Sequence, residues 1–133
     1  MKSLRRSPSP SLAVLLSALP CLGLAHHSAA MFDTQRRISV SGAVRQFQWT
    51  NPHCWIELDV QTARGIEKWS IEMGSPADIF RGGWKPGTLR AGDQIRVVLH
   101  PVREAMLRGT VHAGSFVSAS GPTGEPIGSA AQH

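Results

Sequence analysis

The chain lacks any apolar run long enough to span a bilayer: the stretch from Leu12 to Leu24 is broken by Ser17 and Pro20 and falls short of the ~20 residues a membrane helix needs. No retained membrane span is expected. Cysteine is nearly absent, with only Cys21 and Cys54, so at most one disulfide could form. Charge of one sign is also scarce once the amino end is set aside. The whole chain carries +5, but beyond residue 25 there are 11 basic and 9 acidic residues, and such a balance gives no reason to expect a nucleic-acid partner. No serine, histidine and acid spacing resembles a nucleophilic triad, and no glycine loop could cradle a phosphate, so no catalytic residues are assigned.

The amino end has three parts: a basic start (Lys2, Arg5, Arg6), the apolar stretch, and a small-residue close at Gly23 and Ala25. That order reads as a cleavable secretory signal over 1–25, with a periplasmic or secreted destination. A twin-arginine signal fits poorly because Ser7-Pro8-Ser9 follows the arginines, and a lipidated Cys21 fits poorly because Pro20 precedes it. Removing the first 25 of 133 residues leaves 108, enough for one domain and too few for two. Cys54 is then alone, so it is buried, paired with another chain, or reactive.

Five stretches alternate with a period of two, as half-buried strands do. They run over about 38–49, 53–61, 66–73, 94–100 and 109–118, with Gly42 marking a bulge or bend in the first. Asn51-Pro52 makes a turn. In the second strand Cys54, Ile56, Leu58 and Val60 share the core face, while His53, Trp55, Glu57 and Asp59 face out. The one helical signal starts at Ser75, a capping residue, with Pro76 at the first helical position, and ends at Gly82-Gly83. Strand, strand, strand, helix, strand, strand is the chain order of an OB-fold. The fold class expected is therefore mainly β, a small five-stranded OB-like antiparallel barrel with one short helix between strands three and four. Another small antiparallel barrel or sandwich is the alternative. Residues 26–36 form an N-terminal segment, 37–118 the barrel, and 119–133 a flexible C-terminal tail.

Several short motifs occur in a specific order: Ala25-His26-His27-Ser28, Met31-Phe32-Asp33, Trp49-Thr50-Asn51-Pro52-His53, Trp69-Ser70-Ile71-Glu72, Gly83-Trp84, Gly92-Asp93 and His100-Pro101. In these the chain resembles a bacterial family of exported proteins, domain-of-unknown-function family 6152, over nearly all residues from 26 to 118. Cys54 departs from the pattern, where a small residue such as alanine is expected. The resemblance implies export and a small barrel and brings no activity with it.

If cleavage follows Ala25, His26 offers its α-amine and imidazole to one metal ion, with His27 beside it. That is similar to the histidine brace, and copper is the divalent first-row ion such nitrogen ligands hold best. His53 opens strand two and His100 closes strand four, both facing out, so the candidate metal ligands are His26, His27, His53 and His100. Asn51, Trp49 and Trp55 surround the first inter-strand loop, with Phe47 on the outward face of strand one, and are candidates for ligand binding. The N-terminal segment 28–33 is free to cover them. The first reading is an exported module binding copper, possible partners being a small ligand or an envelope protein. The alternative is a metal-free OB module for a small molecule, glycan or partner protein, and a third is a copper-dependent redox enzyme.

Overall fold

A computed structural model of the chain describes residues 31–103 and 111–128. The elements follow one another as β1 (Ile38–Gln48), β2 (Trp55–Thr62), β3 (Gly65–Glu72), α1 (Pro76–Arg81), β4 (Gln94–Pro101) and β5 (Val111–Ser120). The strands close into a barrel in the order β1-β2-β3-β5-β4, with β1 pairing back to β4. All ladders are antiparallel except β3 with β5, which is parallel. This is the OB topology, and the helix between β3 and β4 stands where the sequence placed it.

The alternation written in the sequence explains the core. Ile56 and Leu58 of β2, Ile71 of β3, Val97 and Leu99 of β4 and Phe116 of β5 are fully buried, each contributing about 1.5–3 kcal/mol by leaving water. Trp84 seals one end, with the rings of Phe47 and Phe116 at 5.8 and 5.4 Å. Above it, α1 is fixed by its cap: the Ser75 side chain accepts from the Asp78 N–H, Pro76 opens the helix, and Arg81 binds Asp78.

β1 serves two neighbours by bending. Its first half pairs with β4 from Ile38↔Leu99 to Ala43↔Gln94, and its second half with β2 from Ala43↔Asp59 to Gln48↔Trp55. Gly42 stands at the bend. A Cβ there would lie 3.0 Å from the Asp59 carbonyl carbon and 3.1 Å from Val60 Cγ2, so only glycine lets the strands approach so closely. The bulge expected at Gly42 occurs slightly later, where the β1–β2 register shifts between Val44 and Gln46.

That shift corrects one expectation. Arg45 and Gln46 are successive exposed residues, so the facing of β1 inverts after them. Phe47, expected to face out, packs against the core instead, and Trp49 joins it edge-on with ring centres 6.0 Å apart. The N-terminal segment does not cover Trp49 and Trp55 over its described part. Phe32 bridges Val102, Asp33 N–H donates to Pro101 O at 2.8 Å, and Arg103 N–H donates to Met31 O at 2.9 Å, so residues 31–33 extend the β4 end.

β5 runs to Ser120, two residues past its expected end. Beyond it the chain turns back: Gly121 N–H donates to Glu125 O, Ser120 bridges Pro126, and Ile127 N–H donates to Ala119 O at 2.9 Å. The Glu125 carboxylate, accepting from the Thr123 hydroxyl, is held below its ordinary pKa by that bond. Gly128 lies so close against the Trp84 indole that an added Cβ would collide with the ring, 2.6 Å from Cδ1.

Candidate functional site

The outward face of β1, β2 and β3 is organised around Glu57. Its side chain is only 12% exposed, and it accepts from Arg45 Nη2 at 2.9 Å, Ser70 Oγ at 2.8 Å and Gln48 Nε2 at 3.4 Å. These donors come from the two strands that flank β2, because the ladder sets Glu57 opposite both Gln46 and Ser70. A carboxylate so enclosed needs such donors, and together they fix the face. Trp55, half-buried, lies beside Glu57 on β2 and pairs with Glu72.

His53 sits where the first inter-strand loop enters β2, next to Glu72. Its Nδ1 lies 3.0 Å from Met73 O and 3.2 Å from Glu72 Oε1. A carbonyl oxygen can only accept, so Nδ1 carries the proton and the neutral ring keeps its lone pair on Nε2. His100 is set the same way, with Nδ1 at 2.6 Å from Arg36 O. Asn51 is exposed in the loop before β2, in a cis peptide with Pro52, and Thr50 Oγ1 donates to His53 O at 2.8 Å.

The structure does not bring the two rings together. Trp55, Glu72, Ser115 and His100 form one row across β2, β3, β5 and β4, so β3 and β5 intervene between the histidine strands. At about 4.8 Å per strand, His100 lies roughly 14 Å around the wall from β2. Chain order alone suggested converging rims, but in this row β3 and β5 lie between β2 and β4, and on the other side β1 meets β4 near Ile38 and β2 near Gln48, at its opposite ends. Among the described residues no group of three or more His, Cys, Asp or Glu side chains could hold a metal ion. His26 and His27 lie outside the described residues, as do the signal stretch 1–25 and the end of the tail, 129–133.

Cys54 is buried and free, and burial pushes its thiol pKa up while a weak bond to Thr50 O pulls the other way. A thiol held neutral in this way is a poor nucleophile. One cluster carried no clear sequence signal. His112 of β5 stacks on Trp69 with ring centres 4.8 Å apart and its Nε2 3.6 Å from Glu67 Oε2, while Trp69 Nε1 is buried without a hydrogen-bond partner. The parallel β3–β5 ladder sets Trp69 opposite His112, a pairing invisible until the strand order is known.

No curated protein matches the chain. Among solved structures it is similar to two crystal forms of the mitochondrial single-stranded DNA binding protein Rim1 from S. cerevisiae. One is 15% identical with a TM-score of 0.47, covering 65% of this chain and 94% of that one. The other is 12% identical with a TM-score of 0.48, covering 65% and 92%. The expectation of no nucleic-acid partner is withdrawn, because both of these neighbours are named as single-stranded DNA binding proteins. The expectation rested on net charge, which sums over the whole surface and does not report local patches. The family model described as "Family of unknown function (DUF6152)" matches residues 14–113, and the chain belongs to that family.

Proposed function

We propose that this chain is an exported binding module that holds a transition metal, copper first among them, with His53 Nε2 as a ligand and the processed amino end supplying the others. One observation carries the reading: Met73 O and Glu72 hold His53 Nδ1 and leave Nε2 as the free lone pair. Metal-binding imidazoles are commonly oriented in this way by a carbonyl or carboxylate on the second nitrogen. His26, as the first residue of the processed chain, adds an amine and an imidazole, and His27 a further imidazole. His100 has the same preset nitrogen but stands too far round the barrel to share an ion with His53.

The test is copper titration of protein beginning at His26. Binding should weaken on His26→Ala, on adding one residue before His26, and on His53→Ala, while Glu72→Gln should cost about 10–100-fold. Equal affinity in all four variants would remove the site. A second reading, a metal-free module for a small molecule, glycan or partner protein, is favoured by the rigid face around Glu57 and the half-exposed Trp55. In that case Trp55→Ala abolishes capture of the ligand and a chelator has no effect.

A further inference from the structure

The bend in β1 produces a second concave site, separate from His53 and independent of any metal. A cleft of about 540 Å³ lies across the strand, floored by Ser41, Gly42 and Ala43 and bounded by Asp59 and Gln61 of β2 on one side and Arg96 of β4 on the other. The floor is open because its side chains are small or absent, and Gly42 cannot be larger without striking the Asp59 main chain.

The two walls carry opposite charges that are not spent on each other. Asp59 Oδ1 is closed off from solvent without a hydrogen-bond partner. The nearest cationic atom, Arg45 Nε, stands 3.6 Å away, too far for a hydrogen bond, and the same guanidinium is committed to Glu57 at 2.9 Å. Arg96 is exposed, opposite Ser41 in the β1–β4 ladder, and makes no ion pair among the described residues. The rest of the Asp59 side chain, 37% exposed, is what the cleft offers to a donor, with Oδ1 closed off behind it. β1 alone separates these walls, so their backbones are about 10 Å apart. A molecule of two residues, at about 3.5 Å each, with a hydrogen bond at either end reaches across.

The geometry points to a binding site for a dipeptide-sized zwitterion, its ammonium donating to Asp59 and its carboxylate accepting from Arg96 across the Ser41–Ala43 floor. The main chain adds direction. Val44 N–H and C=O bond Asp93 O and Gly92 N on the β4 side, so by strand alternation those of Ser41 point towards β2. Beyond Ala43↔Asp59 the β1–β2 ladder has ended, which leaves that edge facing the ligand.

The test is an NMR titration of the full chain with alanyl-alanine, and with N-acetyl-alanyl-alanine amide as the uncharged control. Saturable shifts of the Ser41, Gly42, Ala43 and Gln61 amides are expected with the free dipeptide and not with the capped one. Asp59→Asn and Arg96→Gln, both on the outer surface, should each weaken binding about tenfold with the spectrum otherwise unchanged. The site is overturned by equal shifts from the capped dipeptide, by shifts that map elsewhere, by unaltered affinity in both variants, or by no saturable shift with the free dipeptide.

Discussion

Replacing Gly42 by alanine tests how the barrel closes. The added methyl would sit 3.0 Å from the Asp59 carbonyl carbon, where ordinary contact begins at 3.4 Å, and it would press still harder on the carbonyl oxygen. Main chain cannot rotate aside as a flexible side chain can, so β1 and β2 must part at the Ala43↔Asp59 pair, where their ladder begins. Overpacking of this kind costs about 1–3 kcal/mol, and alanine's smaller unfolded-state entropy returns about 0.4–1 kcal/mol. The net loss is about 1–2 kcal/mol, or roughly 5–15 °C in Tm for a domain of this size. Gly87→Ala is the control. A Cβ at Gly87 meets nothing within 4 Å and the backbone is not left-handed, so the same chemical change should be neutral or slightly stabilising. Thermal melts by circular dichroism compare the two. A Gly42→Ala protein melting with the parent, or the two variants shifting alike, would refute the claim that backbone approach at the bend sets the closure.

Cys54 should resist a thiol-specific disulfide reagent in the native protein at pH 8 and react once urea unfolds it. Because its folded pKa is raised, its neutral form contributes fully below the unfolded thiol's range, and that contribution is lost as pH rises through and beyond it. Urea melts should therefore show the parent losing more stability than Cys54→Ala on the alkaline side. Ending the chain at Ser120 strips Ile127 and Gly128 from beside the core and Trp84, and should lower stability by about 1–2 kcal/mol in urea denaturation. An unchanged midpoint would show that the turned-back segment covers nothing of consequence.

Much of the fold was legible because β2 and β4 keep strict alternation: Ile56, Leu58, Ile95, Val97 and Leu99 are all buried as read. Ser75 and Pro76 announced the helix by a local mechanism that tertiary packing did not override. The facing of Phe47 and Trp49 was not legible, since a single extra residue near Arg45 inverts every position after it and leaves no mark in composition. Whether the histidines meet was not legible for a different reason. Each was correctly placed facing out, but whether two outward residues meet depends on which strands are neighbours, and β5 inserts between β3 and β4 only in three dimensions. The Glu57 network was half visible: its carboxylate was read as outward, while its three donors became identifiable only through the register.

The parallel pairing of β5 with β3 also bears on how the molecule comes into being. The last strand made is the one that fits between two made earlier, so until residue 120 is available β3 and β4 each present a bare backbone edge. Such edges recruit other chains as readily as their own missing strand. The contacts by which β5 completes the wall join residues as far apart as Lys68 and Val111, and closure of β1 on β4 joins Ile38 to Leu99, a topology that assembles slowly. Shortened products lacking β5 should therefore accumulate as aggregates, and the interval before the final strand docks is when the chain most needs protection.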